Sequence, residues 1–435
     1  MKICVQGLWH LGSVTAACLA SVGHDVVGLD SDANIVDNLA QGKAPLFEPG
    51  LDDLIQSGIA NGKLGFSVSH LQALEDADVL WVAFDTPVDD EDQADVAFVQ
   101  HQVEIALSYL PKGAVILVSS QMPVGSIRKL EEFAQKSLSN KDLTFACSPE
   151  NLRLGKALEV FLNPDRVLVG VRDNNTRKNL EKLLLPITDK LVWISVESAE
   201  MTKHAINAFL AVSVTFANEI AAICESVGAD AKEVERGLKT EARIGPKAYV
   251  SPGGPFAGGT LARDIAFLGI ESKLHNIDTP LLSAVRTSND QHKQWVRRKL
   301  QQEFDTLSGL SVAIWGLTYK PGTDTLRRSL AVELCDWLLI QGALVRVYDP
   351  AVKQLPRHWV DKVVHCTTAL DALKDAQVLV VGTDWPEFKQ SALGLTGVAN
   401  QRIIVVDANR HLQAQLSQQK FKYLAVGTPS KTIGN

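Results

Sequence analysis

The amino-acid sequence predicts an α/β protein in which two doubly wound domains are joined by a helical middle domain with a long central helix. Short apolar strands alternate with helical segments over residues 1–196, and the same alternation returns over residues 306–435. Between them, residues 197–305 carry apolar side chains at helical spacing. Because alternating strands and helices indicate a parallel sheet with helices on both faces, these three ranges are the predicted domains.

The first domain opens with a strand, a turn, a helix and a second strand. The apolar strand KICVQ (2–6) is followed by the turn GLWHLGS, the helical pattern VTAACLASVG and the strand HDVVGLD, which ends at Asp30. Two strands joined through a helix form a parallel βαβ unit of the Rossmann-like kind. Further apolar strands follow at 77–84, 113–120, 143–149 and 165–171.

A long helix is predicted from Ser198 to Ser226 in the middle domain. This stretch has no glycine or proline and repeats apolar residues at helical spacing, and its length is near the upper end for globular proteins. It is either a core helix or the surface through which two subunits pair, and we predict a homodimer. Helical patterns continue over 265–274 and 279–303.

The second α/β domain begins at Ser311. Its opening strand and loop, SVAIWGLTYKPGTD, lead into the amphipathic helix SLAVELCDWLLIQGA and the strand LVRVYDP. Strands at 377–384 and 402–408 complete this domain. The repeated strand-helix-strand order predicts a second Rossmann-like sheet.

Composition restricts the class of protein. A chain of 435 residues with 46% hydrophobic residues fits a soluble globular protein of more than one domain. The net charge of −7 argues against a nucleic-acid binder, and we see neither an apolar run long enough for a bilayer nor a signal-peptide pattern. The six cysteines and ten histidines are scattered, so we expect reduced thiols in the cytosol and no metal site.

The first turn is an incomplete dinucleotide fingerprint. The pattern G-x-G-x-x-G lets the backbone approach a pyrophosphate at a helix N-terminus, and here the three positions are Gly7, Trp9 and Gly12. Asp30 ends the second strand, where an acid holds a ribose 2′-hydroxyl and would repel a 2′-phosphate, which favours NAD over NADP. The turn alone leaves two interpretations open, an NAD site and a Rossmann-like scaffold that has lost its cofactor.

Residues 255–264, PFAGGTLARD, are the most informative segment of the chain. They resemble the active-site loop of the UDP-glucose/GDP-mannose dehydrogenase family, in which a glycine-rich approach precedes a cysteine nucleophile, a basic residue and an aspartate. Gly258, Gly259, Arg263 and Asp264 match that loop. Thr260 stands where the family has its cysteine.

The resemblance continues in order through nearly the whole chain. The other matching segments are EPGL (48–51), DTP (85–87), SSQMPVGS (119–126), SPENLRLG (148–155), EARIGPK (241–247), YKPGTDTLRRS (319–329), TDWPEF (383–388) and VDANRHL (406–412). Asp85 takes the place of a family glycine, Gln121 that of a threonine near the reacting carbon, and Arg410 is one place late.

The resemblance implies a set of catalytic residues. Lys203 and Asn207 lie one helical turn apart and would face the sugar carbon that is oxidised, where a fixed ammonium stabilises an alkoxide-like oxygen. Asp264 would take the proton directly or through water. Glu150 would assist proton transfer, or hydrolysis if a second oxidation occurs.

The resemblance also implies how cofactor and substrate are held. The cofactor NAD is expected at Gly7, Trp9, Gly12, Asp30, Thr86, Gln121 and Arg327. The substrate, a nucleotide sugar and most simply a UDP-sugar, is expected at Leu152, Arg243, Gly258 and Lys320. Arg243 would reach the substrate of the neighbouring subunit, because a guanidinium forms paired hydrogen bonds with a diphosphate.

Thr260 leaves the reaction open. The family oxidises a primary alcohol twice with two NAD and captures the intermediate aldehyde on its cysteine, but a threonine hydroxyl ionises far less readily than a thiol. The chain could be a two-electron dehydrogenase that stops at an aldehyde or ketone, or a slow acid producer acting on the hydrated aldehyde. The alternative is a nucleotide-sugar-binding protein or regulatory subunit with little catalysis.

Overall fold

A computed structural model describes residues 1–86, 94–138, 141–150, 152–257, 259–398, 403–417 and 421–429. The chain divides into two compact units, Met1–Ile206 and Asn207–Asn435. The second unit contains both the helical middle of the chain and the second sheet, so the predicted limits between three domains stay a prediction.

The first unit is built on an eight-stranded sheet among the residues described, with strand order β3-β2-β1-β4-β5-β6-β7-β8. Its first six strands have the order of a dinucleotide-binding fold. The strands are β1 (Lys2–Gln6), β2 (Asp25–Leu29), β3 (Leu64–Ser67), β4 (Val79–Val82), β5 (Val115–Val118), β6 (Thr144–Cys147), β7 (Val167–Gly170) and β8 (Leu191–Ile194).

Helices cover both faces of this sheet. They are α1 (His10–Ser21), α2 (Ala33–Ala40), α3 (Leu51–Ala60), α4 (His70–Leu74), α5 (Val96–Leu107), α6 (Ser126–Ser137), α7 (Ala157–Leu162) and α8 (Asn174–Leu184). Side chains alternate across a strand, so Ile3 and Val5 of β1 lie in one hydrophobic core while Cys4 lies in the other. This double burial explains the nearly continuous apolar strands.

One junction of the first sheet departs from the predicted parallel arrangement. β6 pairs with β7 antiparallel through Cys147 and Gly170, whereas β7 and β8 are parallel to each other. A parallel return needs a crossover of a dozen or more residues, usually helical. The connection from β6 to β7 spans residues 148–166, but the only helix described in it is α7, which has six residues, so it lacks the long helix that usually accompanies a parallel pair.

The second unit combines helices with a six-stranded sheet, counted over the described residues, in the order β11-β10-β9-β12-β13-β14. Its pairings are all parallel. The strands are β9 (Ser311–Trp315), β10 (Leu344–Tyr348), β11 (Val363–His365), β12 (Val378–Val381), β13 (Ile404–Val406) and β14 (Lys422–Leu424).

The helices from residue 196 onward lie before the second sheet or between its strands. They are α9 (Val196–Val227), α10 (Ala231–Thr240), α11 (Thr260–Leu274), α12 (Pro280–Lys293), α13 (Trp295–Glu303), α14 (Leu330–Ile340), α15 (Ala369–Ala372), α16 (Glu387–Leu393), α17 (Leu395–Val398) and α18 (Gln413–Leu416), with a 3₁₀ turn at Arg357–Trp359.

By length and composition alone, α9 is apolar enough to cross a membrane, and 44% of its most apolar window is buried within the protein. Inside the second unit its Ala208 and Ala211 pack with Ile265 of α11 and Val285 of α12. Further along, Ala221 and Cys224 join the core of the second sheet. These contacts make α9 a core helix of the helical middle.

Candidate active site

An ammonium and a carboxylate meet in a recess of the first unit. Lys203 lies on α9 with 12% of its side chain exposed. Its Nζ donates to the main-chain oxygen of Glu150 at 2.7 Å and lies 3.3 Å from the carboxylate of the same residue. Both residues line a small recess that follows the end of β5. Coulomb attraction at such a distance holds the ammonium in place.

One residue predicted to contact the cofactor, Gln121, borders the same recess and is bonded to a second, Thr86. The Thr86 hydroxyl donates to the main-chain oxygen of Gln121 at 2.8 Å, and Gln121 lines the recess. The second carboxylate oxygen of Glu150 accepts the Leu152 N–H at 2.7 Å, while the Leu152 side chain packs against a hydrophobic core. The fold thus connects Lys203 with Glu150 and Leu152, and Thr86 with Gln121.

Two further side chains line this recess and were missed by the sequence interpretation. Glu200 on α9 accepts two backbone N–H groups at the start of α6, at 2.8 and 3.0 Å, and burial raises its pKa. The Nε2 of His204 lies 3.0 Å from the main-chain oxygen of Met122. Both residues fix α9 to the loop after β5. The signal that could have indicated them is their spacing, since Glu200 lies three residues before Lys203 and four before His204. Residues three or four apart on a helix are neighbours on its surface.

A second pair of predicted residues meets in the second unit. The side-chain amide of Asn207 donates to the carboxylate of Asp264, and both residues are buried. Gly259 precedes α11 with a φ of 99°, which favours glycine. Thr260 is then the exposed first residue of α11. The predicted substrate residue Gly258 lies outside the described residues.

The remaining predicted contacts of the second unit lie on exposed or half-buried segments. Arg243 is 88% exposed in its side chain and pairs with Glu241 at 2.9 Å. The Lys320 ammonium lies 5.5 Å from the ring centre of Tyr319, and Arg327 is exposed further along the same loop. Whether these side chains hold ligand stays a prediction.

Arg410, which matches the family segment one place late, has a structural partner. Its guanidinium pairs with Asp230, the N-cap of α10, at 2.9 Å, and 6% of its side chain is exposed. The preceding residue, Asn409, accepts the Gly254 N–H at 2.7 Å and donates to Asp384 at 3.0 Å. Arg410 therefore ties the second sheet to α10.

The dinucleotide turn has two positions that only glycine fits. Gly7 has a φ of 88°, and a Cβ there would lie 2.6 Å from the Phe84 ring. A Cβ on Gly12 would lie 1.6 Å from the Gly7 oxygen. Trp9, between them, is 46% exposed with a φ of −68°. The tight turn and the close approach of α1 to β1 are therefore retained, whereas the middle position carries a large ring.

Asp30 closes this turn. Its carboxylate accepts the Leu8 N–H at 2.7 Å and the N–H of Asp32 at 3.0 Å. The second sheet repeats this bond, since Asp349 at the end of β10 accepts the Leu317 N–H at 2.7 Å. Asp30 consequently has a structural role in the turn, beside the ribose contact predicted for it.

Matches to family domains cover most of the chain. Residues 1–188 match the NAD binding domain, residues 197–291 the central domain and residues 313–414 the UDP binding domain of the UDP-glucose/GDP-mannose dehydrogenase family. The chain belongs to this family. The resemblance inferred from the sequence motifs is thereby confirmed, together with the fold class and NAD as the cofactor.

Individual relatives of the UDP-glucose/GDP-mannose dehydrogenase family agree over nearly the full length. A UDP-glucose 6-dehydrogenase of Rhizobium meliloti is 32% identical, covering 99% of this chain and all (100%) of the relative. A UDP-glucose 6-dehydrogenase of Pseudomonas aeruginosa is 30% identical, covering 99% of this chain and 98% of the relative. The structure of a UDP-glucose dehydrogenase from Pyrobaculum islandicum superposes with a TM-score of 0.83 at 26% identity, covering 98% of both chains. The structure of UDP-D-ManNAc dehydrogenase from Pyrococcus horikoshii superposes with a TM-score of 0.85 at 23% identity, covering 98% of this chain and 99% of that chain. This similarity shows the shared fold.

The first unit fits the family cofactor at most of the expected points. Gly7 and Gly12 keep the space that a dinucleotide turn needs, and Asp30 directly follows β2, where an acid is expected to hold the ribose. Lys203 and Gln121 border the recess of the same unit. The fit is poorest at Trp9, since this is the position at which the backbone approaches a pyrophosphate in the fingerprint.

Proposed function

We propose that this protein is an NAD-dependent oxidoreductase of nucleotide sugars that oxidises a CH–OH group of a UDP-sugar. The observation that carries the proposal is the Lys203 ammonium held 2.7 Å from the Glu150 main-chain oxygen in a recess that Gln121 also lines. Relatives over nearly the whole chain that are UDP-glucose 6-dehydrogenases support the substrate class.

In this proposal each residue has a defined task. NAD, when bound, accepts the hydride from the sugar carbon. Lys203 stabilises the negative charge that develops on the sugar oxygen, since a positioned cation acts most strongly where charge appears. Asp264 receives the released proton directly or through water, and Glu150, already beside the ammonium, assists the transfer. Asn207 holds the Asp264 carboxylate in one orientation.

We further propose that oxidation stops after two electrons, because Thr260 offers a hydroxyl where the family has a thiol. The contacts of Lys203 with Glu150 and of Asn207 with Asp264 favour altered chemistry over a regulatory subunit that has lost catalysis. A decayed site would be expected to lose such buried polar contacts, since each is costly unless it is satisfied.

Counting NADH per sugar consumed tests this function. With NAD at several times its dissociation constant, UDP-glucose, UDP-N-acetylhexosamines and GDP-mannose are supplied separately, and NADH absorbance is compared with the sugar product by mass spectrometry. We expect one NADH per UDP-sugar and an aldehyde or ketone product. Two NADH and an acid would contradict the two-electron step, and no NADH with any of these sugars would contradict the dehydrogenase function.

We also propose that α9 forms part of a homodimer surface. Phe209, Phe216 and Ile223 follow each other at seven-residue intervals and are 69%, 46% and 57% exposed. Apolar side chains at this interval lie on one side of a helix and are typical of helix pairing. A second copy of the chain, bringing the same stripe, is the partner that this repeat suits best.

Charge placed in this stripe should separate the subunits. The double variant Phe209→Lys and Phe216→Lys should fall from the mass of a dimer to that of a monomer in light scattering coupled to size exclusion, because two unpaired ammonium groups would be buried in the interface. Ile340→Lys is the control, since Ile340 is 80% exposed on α14. A double variant that keeps the dimer mass would rule out this face.

A further inference from the structure

An acidic side chain already caps the helix that follows the dinucleotide turn. Asp85 lies just beyond β4, and its Oδ2 accepts the N–H of Leu11, the second residue of α1, at 2.9 Å. The His10 N–H also donates to this carboxylate. Two donors at the start of α1 are therefore directed at Asp85.

The same donors are those that a dinucleotide uses. In a dinucleotide-binding βαβ unit the pyrophosphate lies on the N-terminus of the first helix, where free N–H groups and the helix dipole attract negative charge. A carboxylate satisfies such donors equally well and repels a diphosphate. Asp85 stands where the family motif has a glycine, which offers neither a side chain nor a charge.

We propose that the Asp85 carboxylate occupies the diphosphate position of the NAD site, so that NAD binds in competition with this side chain. The inference rests on NAD being the cofactor of the proposed dehydrogenase. To bind NAD, the protein has to release the carboxylate from α1 or neutralise it. Asp85 is thus a built-in competitor that weakens NAD binding.

The surroundings of Asp85 allow such competition. Asp85 as a whole residue is exposed to solvent, whereas its carboxylate, bonded to the N–H of Leu11, is largely desolvated. The charged groups that face it are His10, which is 3.0 Å from Glu48, and Glu150 of the recess. Desolvation of the carboxyl group raises the pKa of Asp85, and the nearby Glu150 raises it further, while the N–H of Leu11 acts in the opposite direction.

The sign of the pH dependence follows from this arrangement. As the pH falls toward the raised pKa, Asp85 becomes neutral, repulsion of the diphosphate weakens, and NAD should bind more tightly. Asp85→Asn retains His10, so the difference between the pH profiles of this variant and the wild type isolates the carboxylate.

Isothermal titration with NAD tests the proposal on the full-length chain. Asp85→Gly should bind NAD about tenfold more tightly than the wild type, since like charges brought together at a binding site are costly, and Asp85→Asn should lie between them. Asp173→Asn is the matched control. Asp173 also caps a helix of the first unit, α8, with two N–H bonds of 2.8 and 2.9 Å, but it lies outside the dinucleotide turn.

The expected result is tighter binding in both Asp85 variants, an unchanged affinity in Asp173→Asn, and a weaker pH dependence in Asp85→Asn than in the wild type as the pH is lowered from neutrality toward the raised pKa of Asp85. Equal affinities in the wild type and both Asp85 variants would overturn the proposal, and so would weaker binding, which would make Asp85 a ligand of NAD. Circular dichroism establishes that the variants are folded. Failure of the proposed function is distinct, because it would leave the order of NAD affinities among the variants as expected while no nucleotide sugar gives NADH.

Discussion

Replacing Lys203 with methionine should lower kcat by about 10²–10³-fold, the usual range for removing a group that stabilises a developing oxyanion. The side chain keeps its length and loses its charge. Because Nζ makes its contacts with the main-chain oxygen and the carboxylate of Glu150, the variant also frees the carboxylate that we assign to proton transfer. We expect KM for the sugar to change far less than kcat, since the charge of the oxygen grows mainly in the transition state.

The measurement is initial-rate kinetics with saturating NAD, supported by a thermal unfolding curve for each protein. Lys178→Met on α8 is the control, because Lys178 is an exposed lysine of the same unit and its loss removes the same charge. NAD affinity of Lys203→Met, measured by titration, should stay close to that of the wild type. A variant that keeps kcat within about threefold would exclude Lys203 as the group that stabilises the oxyanion.

The fold could be predicted to a large extent because its signals are local. Apolar strands separated by helical segments indicated both sheets, and the long stretch without glycine or proline indicated α9. The direction of β7 could not be predicted in this way. It depends on the course of the connection that contains α7, and an apolar run such as VLVG has the same pattern in either direction.

The candidate site could be predicted only for residues that lie in motifs shared with the family. Glu150 and Lys203, 53 positions apart in the chain, could be assigned to one site through the family resemblance. Glu200 and His204 carry no motif of their own, and a polar residue on a long helix is more often solvent-exposed. The sequence indicated that Asp85 departs from the family motif. It could not show that the Asp85 carboxylate accepts N–H groups at the start of α1, because that contact depends on how the end of β4 packs against the turn.

Introducing a cysteine at Thr260 should convert the product from an aldehyde or ketone to an acid. Thr260 is the first residue of α11, directly after Gly259. A thiol at a helix N-terminus has a lowered pKa, because the partial positive charge there stabilises the thiolate. The thiolate of Thr260→Cys can add to an aldehyde carbon, and the resulting thiohemiacetal can give a second hydride to a second NAD. Water then hydrolyses the thioester, which releases the acid and the thiol, whereas a threonine hydroxyl stays protonated without a strong base beside it. The NADH count per sugar should therefore rise from one to two.

The controls separate nucleophile chemistry from the mere presence of a thiol. Thr260→Ser keeps a hydroxyl and should still give one NADH per sugar. Thr279→Cys places a thiol at the N-cap of α12 and should leave the product unchanged, because its thiolate would lie outside the proposed site. If Thr260→Cys folds, binds NAD and still gives one NADH per sugar, the missing thiol cannot be what limits the reaction to two electrons. The cause would then lie either in the residues that take the proton, Glu150 and Asp264, or in the substrate. A substrate oxidised at a secondary alcohol gives a ketone, and the ketone carbon has no hydrogen left to lose as a second hydride.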